Sequence, residues 1–174
     1  MVHIKIQPQE IPLMRKLLPA ICLAVPWELY FYTSSYSSGW GIKLSVLYAN
    51  FDSQYGTLFV NVIRQLSMLS YGGLLPSLRT VAWFLASMLC IILVFYELSR
   101  DQLEFRIRTG TTGVLLIVCA VLTLVSSLAV WNGSFMTVPI APAFFGLAGY
   151  FLLRAEQWSS GESAHAEENQ TPAE

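Results

Sequence analysis

The sequence predicts an all-α integral membrane protein, with four transmembrane helices and an outer amphipathic segment between helices 1 and 2. Three observations predict it. Of the 174 residues, 55% are hydrophobic and only 12% are charged, against roughly 25% charged in an ordinary soluble domain. So few charges cannot coat a globule of this size, and so apolar a chain is not disordered outside its ends. The apolar residues gather in four runs, each close to the roughly 20 residues that a helix needs to cross a bilayer core. The basic residues are biased to one side of those runs, as the positive-inside rule requires. The net charge of −1 offers no field that would attract nucleic acid. The expected partners are the lipid bilayer and other membrane proteins.

The first span is expected over residues 17–36. It opens like a secretory signal, with Arg15 and Lys16 before an apolar stretch. It is expected to stay uncleaved, because Pro26, Trp27 and Glu28 follow where small residues would be needed. Ile21 is likewise too bulky for lipoprotein processing at Cys22. The connection that follows, residues 37–77, is neither apolar enough to span nor polar enough to be linker. Within it Phe59, Val62, Ile63, Leu66 and Leu69 recur at helical spacing, with Asn61, Arg64 and Gln65 largely on the other side. This predicts an amphipathic interface helix over residues 57–70, stopped by Gly72 and Gly73, that lies on the membrane or caps the bundle. Residues 40–51 read equally as a short strand or a further interfacial helix.

The second span, residues 78–98, is uncharged between Arg79 and Glu97. The loop after it carries Glu104 and Arg108 four apart, a spacing that would support a helical extension into water, but it reads first as a solvated helix end and loop. The third span, residues 111–131, holds no charge and would reach about 32 Å at the α-helical rise. Asn132-Gly133-Ser134 is a turn sequence that makes the third and fourth spans antiparallel neighbours. The fourth, residues 135–153, is uncharged up to Arg154 but has Pro139 and Pro142 in its first half. Residues 1–156 thus form one transmembrane domain. Residues 157–174, with four glutamates and no Lys or Arg, are expected to be a disordered polar tail.

Lys5, Arg15, Lys16, Arg100, Arg106, Arg108 and Arg154 share one side, and Lys43, Arg64 and Arg79 the other. Both termini are therefore expected to be cytoplasmic, in a multi-pass protein of the cell (plasma) membrane. Trp27, Trp40, Tyr48, Tyr55, Tyr71 and Trp131 then form an outer aromatic belt.

Glu28 is the sharpest candidate for function. A carboxylate deep in a bilayer costs about 2.5 kcal/mol or more and is functional by default. It falls either about 16 Å along the first helix or at the interface if Pro26 ends that helix early. Trp27 favours the second. The expected partners are Arg79, at the outer end of the second span, and tyrosine hydroxyls such as that of Tyr30. Cys22, Cys90 and Cys119 lie in separate apolar runs and read as small hydrophobes. His3 and His165 are in the tails. No catalytic, cofactor or metal residues are assigned, since no acid pair, Cys–His pair or nucleophile–base pair stands inside a span. Ser126 and Ser127 are expected to bond helix backbone or a neighbouring helix, and Gly146, Ala148 and Gly149 to be close-packing surfaces.

Val25-Pro26-Trp27 closing the first span, a long aromatic outer loop and Thr137-Val138-Pro139 opening the fourth resemble the haloarchaeal near-archaeosortase A transmembrane protein family. The resemblance covers roughly residues 17 to 153. It implies an archaeal plasma-membrane protein of unknown activity, encoded near a sorting transpeptidase, and it supplies no functional residues. The expected function is a non-enzymatic accessory or scaffold subunit of a membrane complex, linked through that resemblance to surface-protein sorting. The alternative is a small transporter or channel subunit that uses Glu28.

Overall fold

The computed structural model describes residues 11–67, 69, 73–102 and 107–168. Helix α1 (Ile11–Ala24) leads into a meander of four strands, β1 (Glu28–Thr33), β2 (Ser38–Lys43), β3 (Leu47–Asp52) and β4 (Gly56–Asn61). A five-residue helix, α2 (Val62–Leu66), and the long α3 (Leu74–Ser99) follow. After α4 (Thr109–Leu128) comes β5 (Phe135–Pro139) and then α5 (Ala141–Glu168). The five strands form one antiparallel sheet in the order β4-β3-β2-β1-β5. Helix α3 packs on α1 and α4, and α5 on α4 and α1, closing a four-helix bundle.

The expected all-α fold with four spans is therefore corrected: a five-stranded sheet takes up residues of the expected first and fourth spans, the outer loop and the amphipathic helix. Pro26 is one cause. It supplies no backbone N–H and pushes the residue before it out of the helical region. Helix α1 ends at Ala24, and its 14 residues reach only about 21 Å. Residues 28–33 of the expected first span are strand. The fourth expected span divides in the same way: its first five residues are β5, and α5 begins at Ala141 with Pro142 in the first turn. The chain between Ala141 and Arg154 is too short an apolar stretch to cross a bilayer on its own. Helices α3 and α4 are long and apolar enough to cross a membrane.

The expected interface helix over residues 57–70 is also corrected. Residues up to Asn61 are strand, and Asn61 then caps α2, its side chain accepting from the Arg64 N–H at 2.7 Å. The expected common apolar face does not exist. Val62 is 3% exposed, whereas Phe59 and Ile63 are 66% and 71% exposed; Leu66 and Leu69 are half-buried. Gly72 and Glu104 lie outside the described residues. Helix α5 continues through residues 157–168, a stretch expected to be disordered but rich in good helix formers such as Ala, Glu and Gln; residues 169–174 lie outside the described residues.

Each strand-to-helix junction falls at the same end of the bundle: the C-terminal ends of α1 and α4 and the N-terminal ends of α3 and α5. The sheet stands on that end. The β2–β3 turn reaches down beside α3, where the Leu44 carbonyl accepts from Trp83 Nε1 at 3.0 Å and the Ser45 carbonyl accepts from the Ser87 hydroxyl. Below it the core runs through Cys22, Trp83, Ala86, Cys90, Leu116, Cys119, Phe145 and Leu152. Small residues bring the helices together. A Cβ added to Gly113 would lie 2.8 Å from the Gly149 carbonyl oxygen, so α4 and α5 touch backbone to backbone. Ala148 is buried beside them, while Gly146 faces open space.

Candidate functional site

Glu28 opens β1 and Lys43 closes β2, and the antiparallel register sets them directly opposite each other. Opposed residues share a face of the sheet, here the face turned to the bundle. Lys43 Nζ donates to Glu28 Oε2 at 2.9 Å and to Ser126 Oγ at 3.2 Å. Arg79, in the second turn of α3, donates through Nη2 to Glu28 Oε1 at 2.5 Å. Ser127 Oγ donates to Glu28 Oε2 at 2.9 Å. Ser126 Oγ in turn donates to the Arg79 carbonyl, and Thr137 on β5 to the Ser127 carbonyl, both at 2.9 Å. The carboxylate thus ties β1, β2, α3 and α4 together, and β5 is fastened to the same place. Glu28 is 1% exposed and Lys43 3%.

The structure brings Glu28 and Arg79 into contact. Tyr30 does not reach Glu28: its hydroxyl points to the Ala49 carbonyl at 3.5 Å. Its ring lies instead under the Arg79 guanidinium, 5.4 Å from the ring centre, and Phe135 covers that cation at 4.6 Å. Trp27, assigned to an aromatic belt, is a core residue at 2% exposure. Its indole donates to the Cys22 carbonyl at 2.9 Å. Sequence reasoning missed Lys43, which pairs with Glu28 across a hairpin. The signal available was the spacing Gly39, Gly41, Lys43, which puts two glycines and one cation on a single face. Of the two serines expected to bond helix backbone or a neighbouring helix, Ser126 reaches the Arg79 carbonyl of α3 and Ser127 instead binds the Glu28 carboxylate on β1.

Burial lowers the Lys43 ammonium from its ordinary value to about 7; the Arg79 charge acts in the same direction, and Glu28 opposes both. Burial also raises the Tyr30 and Tyr48 hydroxyls. At the outer rim of the same face, the Tyr32 hydroxyl bonds Asp52, and the Tyr55 and Gln54 N–H groups add to it. Together they hold that carboxyl at about 2.

Above Glu28 an open cavity of about 520 Å³ lies between the sheet and the ends of α3 and α4. Tyr30, Tyr32, Tyr48, Trp83 and Phe135 are its aromatic walls, and Lys43, Arg79, Asn50 and Gln65 are among its polar groups. Tyr30 and Tyr32 lie across Gly41 and Gly39 on the neighbouring strand, so side chains at either glycine would collide with them. The other face of the sheet is apolar and open: Phe31, Trp40, Phe59, Met136 and Val138 are each more than two-fifths exposed.

A second buried ion pair occupies the far end of the bundle. Arg15 on α1 donates to Glu97 Oε1 on α3 at 2.9 Å and to Thr109 Oγ1 at 2.9 Å, and Thr112 on α4 donates to the same carboxylate oxygen at 2.9 Å. Among the described residues no three His, Cys, Asp or Glu side chains gather as metal ligands. Comparison with known proteins finds no family model that matches the chain and no curated protein at significant similarity.

Proposed function

We propose that the protein is a membrane-embedded, non-enzymatic accessory or scaffold subunit, with α3 and α4 crossing the bilayer and the sheet standing at its outer face. One observation carries the reading. The two buried ion clusters bound an apolar belt whose outward side chains are exposed. From Arg79 to Glu97 along α3 is about 27 Å, and from Thr112 to Ser127 along α4 about 22 Å, close to the thickness of a hydrocarbon core. Between those limits Leu85, Ile92 and Phe95 on α3, and Val114, Val118 and Val121 on α4, are exposed. In water each forfeits about 1.5–3 kcal/mol of burial; in lipid each is solvated. The positive-inside bias orients the sheet outward.

The scaffold part rests on the open sheet face. Phe31, Trp40, Phe59 and Met136 form an exposed apolar surface of the kind that marks protein contacts. A transporter working through Glu28 would need that carboxylate on a watery path. Its oxygens instead accept from Lys43, Arg79 and Ser127, and the void beside it has no room for a water.

Alkaline carbonate extraction tests the membrane reading: the protein stays with the membranes, and release into the supernatant would overturn it. Purification from mild detergent tests the subunit reading. A stoichiometric membrane partner is expected, lost on Phe59→Lys or Trp40→Lys; a monodisperse protein without one would overturn it. The link to surface-protein sorting is tested by deleting the gene and following processing and lipid attachment of surface proteins, which an unchanged pattern would remove.

A further inference from the structure

While Lys43 keeps its proton, the cavity above Glu28 is one negative charge short. Lys43 and Arg79 both reach it, and Glu28 is the only acid among the described residues paired with either. The next acid on that sheet face, Asp52, stands four positions along β3 from Tyr48, the cross-strand neighbour of Lys43. That separation is about 14 Å, and Asp52 is already engaged by Tyr32, Gln54 and Tyr55. A buried cation without a counter-charge either loses its proton or recruits an anion. Arg79 cannot lose its proton. It gives one of its terminal nitrogens to Glu28 and remains partly open to the cavity at 17% side-chain exposure.

The walls narrow the choice of ligand. Five aromatic residues line the space, as a quaternary-ammonium cage would require, but this chain's own cations already occupy three of the rings: Arg79 on Tyr30 and Phe135, and Lys43 on Trp83 at 5.2 Å. A second cation would be repelled. The complement is an oxyanion that the planar guanidinium can grip. Asn50 adds a second requirement. Its amide nitrogen donates to the Tyr32 hydroxyl at 3.1 Å, while its Oδ1 is buried with no partner. That acceptor calls for a donor on the ligand, such as a hydroxyl. At about 520 Å³, the space takes more than a bare ion.

We propose that this cavity binds a hydroxyl-bearing phosphate ester, with Arg79 on the phosphate and Asn50 Oδ1 on the hydroxyl. A phosphoglycerol lipid headgroup and a free glycerol phosphate share that chemistry. The headgroup source rests on the membrane reading above, under which the cavity lies level with the headgroups; the free-ester source does not.

The experiment uses the full-length protein and two probes. Glycerol 1-phosphate is titrated into protein in a non-ionic detergent, with isothermal calorimetry as the readout. Retention of phosphatidylglycerol against phosphatidylcholine from mixed nanodiscs is measured by native mass spectrometry. The deciding variant is Gln65→Glu. It keeps an acceptor for the Tyr48 hydroxyl, which now bonds Gln65 at 3.3 Å, and adds a negative charge at the cavity. Arg79→Lys, which keeps the charge and loses the fork, is the second. Both are expected to weaken binding at least tenfold. Saturable glycerol phosphate binding assigns the free ester; selective phosphatidylglycerol retention without it assigns the headgroup. Binding of neither probe, or binding unchanged by Gln65→Glu, overturns the proposal. If carbonate releases the protein while glycerol phosphate still binds, the membrane reading fails and the site stands. If the protein resists carbonate and binds neither probe, the site alone fails.

Discussion

The two ends of the bundle solve the same electrostatic problem differently. Each buries one carboxylate between cations. At the far end Glu97 meets a buried Arg15, and its second cation, Arg100, stands 4.0 Å away with a quarter of its side chain in solvent. Water can carry the excess charge there. At the sheet end Lys43 is almost wholly buried, Arg79 keeps 17% of its side chain exposed, and an open cavity lies beside them. The far end reads as a clamp that joins α1, α3 and α4. The sheet end is a clamp with a vacancy for charge. A buried ion pair by itself is weak evidence of stabilisation, but removing one partner leaves the other uncompensated, so substitution separates the two cases.

The largest effect is expected from Glu28→Gln. It removes the counter-charge of buried Lys43 and half-buried Arg79 at once, whereas Glu97→Gln strands buried Arg15 beside the more exposed Arg100. Loss of one partner of a buried pair costs about 3–5 kcal/mol. Thermal melting in detergent should place Glu28→Gln at the upper end of that range and Glu97→Gln below it. Equal losses would make the ends equivalent and break the comparison. Adding Lys43→Met to Glu28→Gln should recover part of the loss, since it removes one of the stranded charges.

Next comes the packing of the sheet end. Gly41 lies beneath the Tyr30 ring and against the Ala49 carbonyl, and that ring is one of the two that carry the Arg79 guanidinium. Gly41→Val forces the ring off its seat, at a cost of about 2–3 kcal/mol in the range usual for overpacking. The same experiment reads the site as well as the fold, because Tyr30 walls the cavity. A Gly41→Val protein that melts like the parent would show that the ring has somewhere else to go.

A smaller, pH-dependent effect sharpens the contrast further. Lys43 is held at about 7 in the fold and returns towards the ordinary lysine range of about 10.4 when the chain unfolds. Between those values the unfolded state binds the more protons, so stability rises with pH. The rise should begin near pH 7 and approach, at most, about 1.4 kcal/mol per pH unit. Melting temperatures measured from pH 6.5 to about 8.5 check it, and Lys43→Met should flatten the curve. The far end has no buried lysine among the described residues, so Glu97→Gln should leave the slope intact.

How far the sequence foretold this molecule depends on the range of the interaction. Helices α3 and α4 stood out because each is a run with almost no charge, and lipid-length hydrophobicity is a local property. The sheet did not stand out because both of its faces are apolar or aromatic: Leu29 and Phe31 point one way, Tyr30 and Tyr32 the other, so the two-residue alternation that marks a half-buried strand is flattened. The strand signals present were the aromatic runs between Ser-, Gly- and Asp-rich turns, such as Asp52 to Gly56, where Gly56 takes a φ of 74°. Glu28 and Arg79 could be singled out as charges beside apolar runs. Lys43, Ser127 and the cavity could not, because they exist only once register pairs residue 28 with residue 43 and the sheet is set on the helix ends. The resemblance to an archaeal family rested on short motifs and foretold none of this geometry.

The smallest effect is expected where the sequence suggested a large one. Ile63 sits at the centre of the apolar set Phe59, Val62, Ile63, Leu66 and Leu69, and a docked helix over residues 57–70 would make Ile63→Asp costly. In the structure Ile63 is 71% exposed on a five-residue helix, and its neighbour Val62, at 3% exposure, is the residue that joins the core. Surface substitutions away from special features usually change stability by no more than about 0.5 kcal/mol, so Ile63→Asp should melt close to the parent. Val62→Asp buries an unpaired carboxylate and should cost several times as much. Proteolysis of residues 50–77 in the two variants reads the same contrast locally. Resistance is kept with Ile63→Asp and lost with Val62→Asp. The reverse order would restore the amphipathic helix and remove β4 as the edge of the sheet.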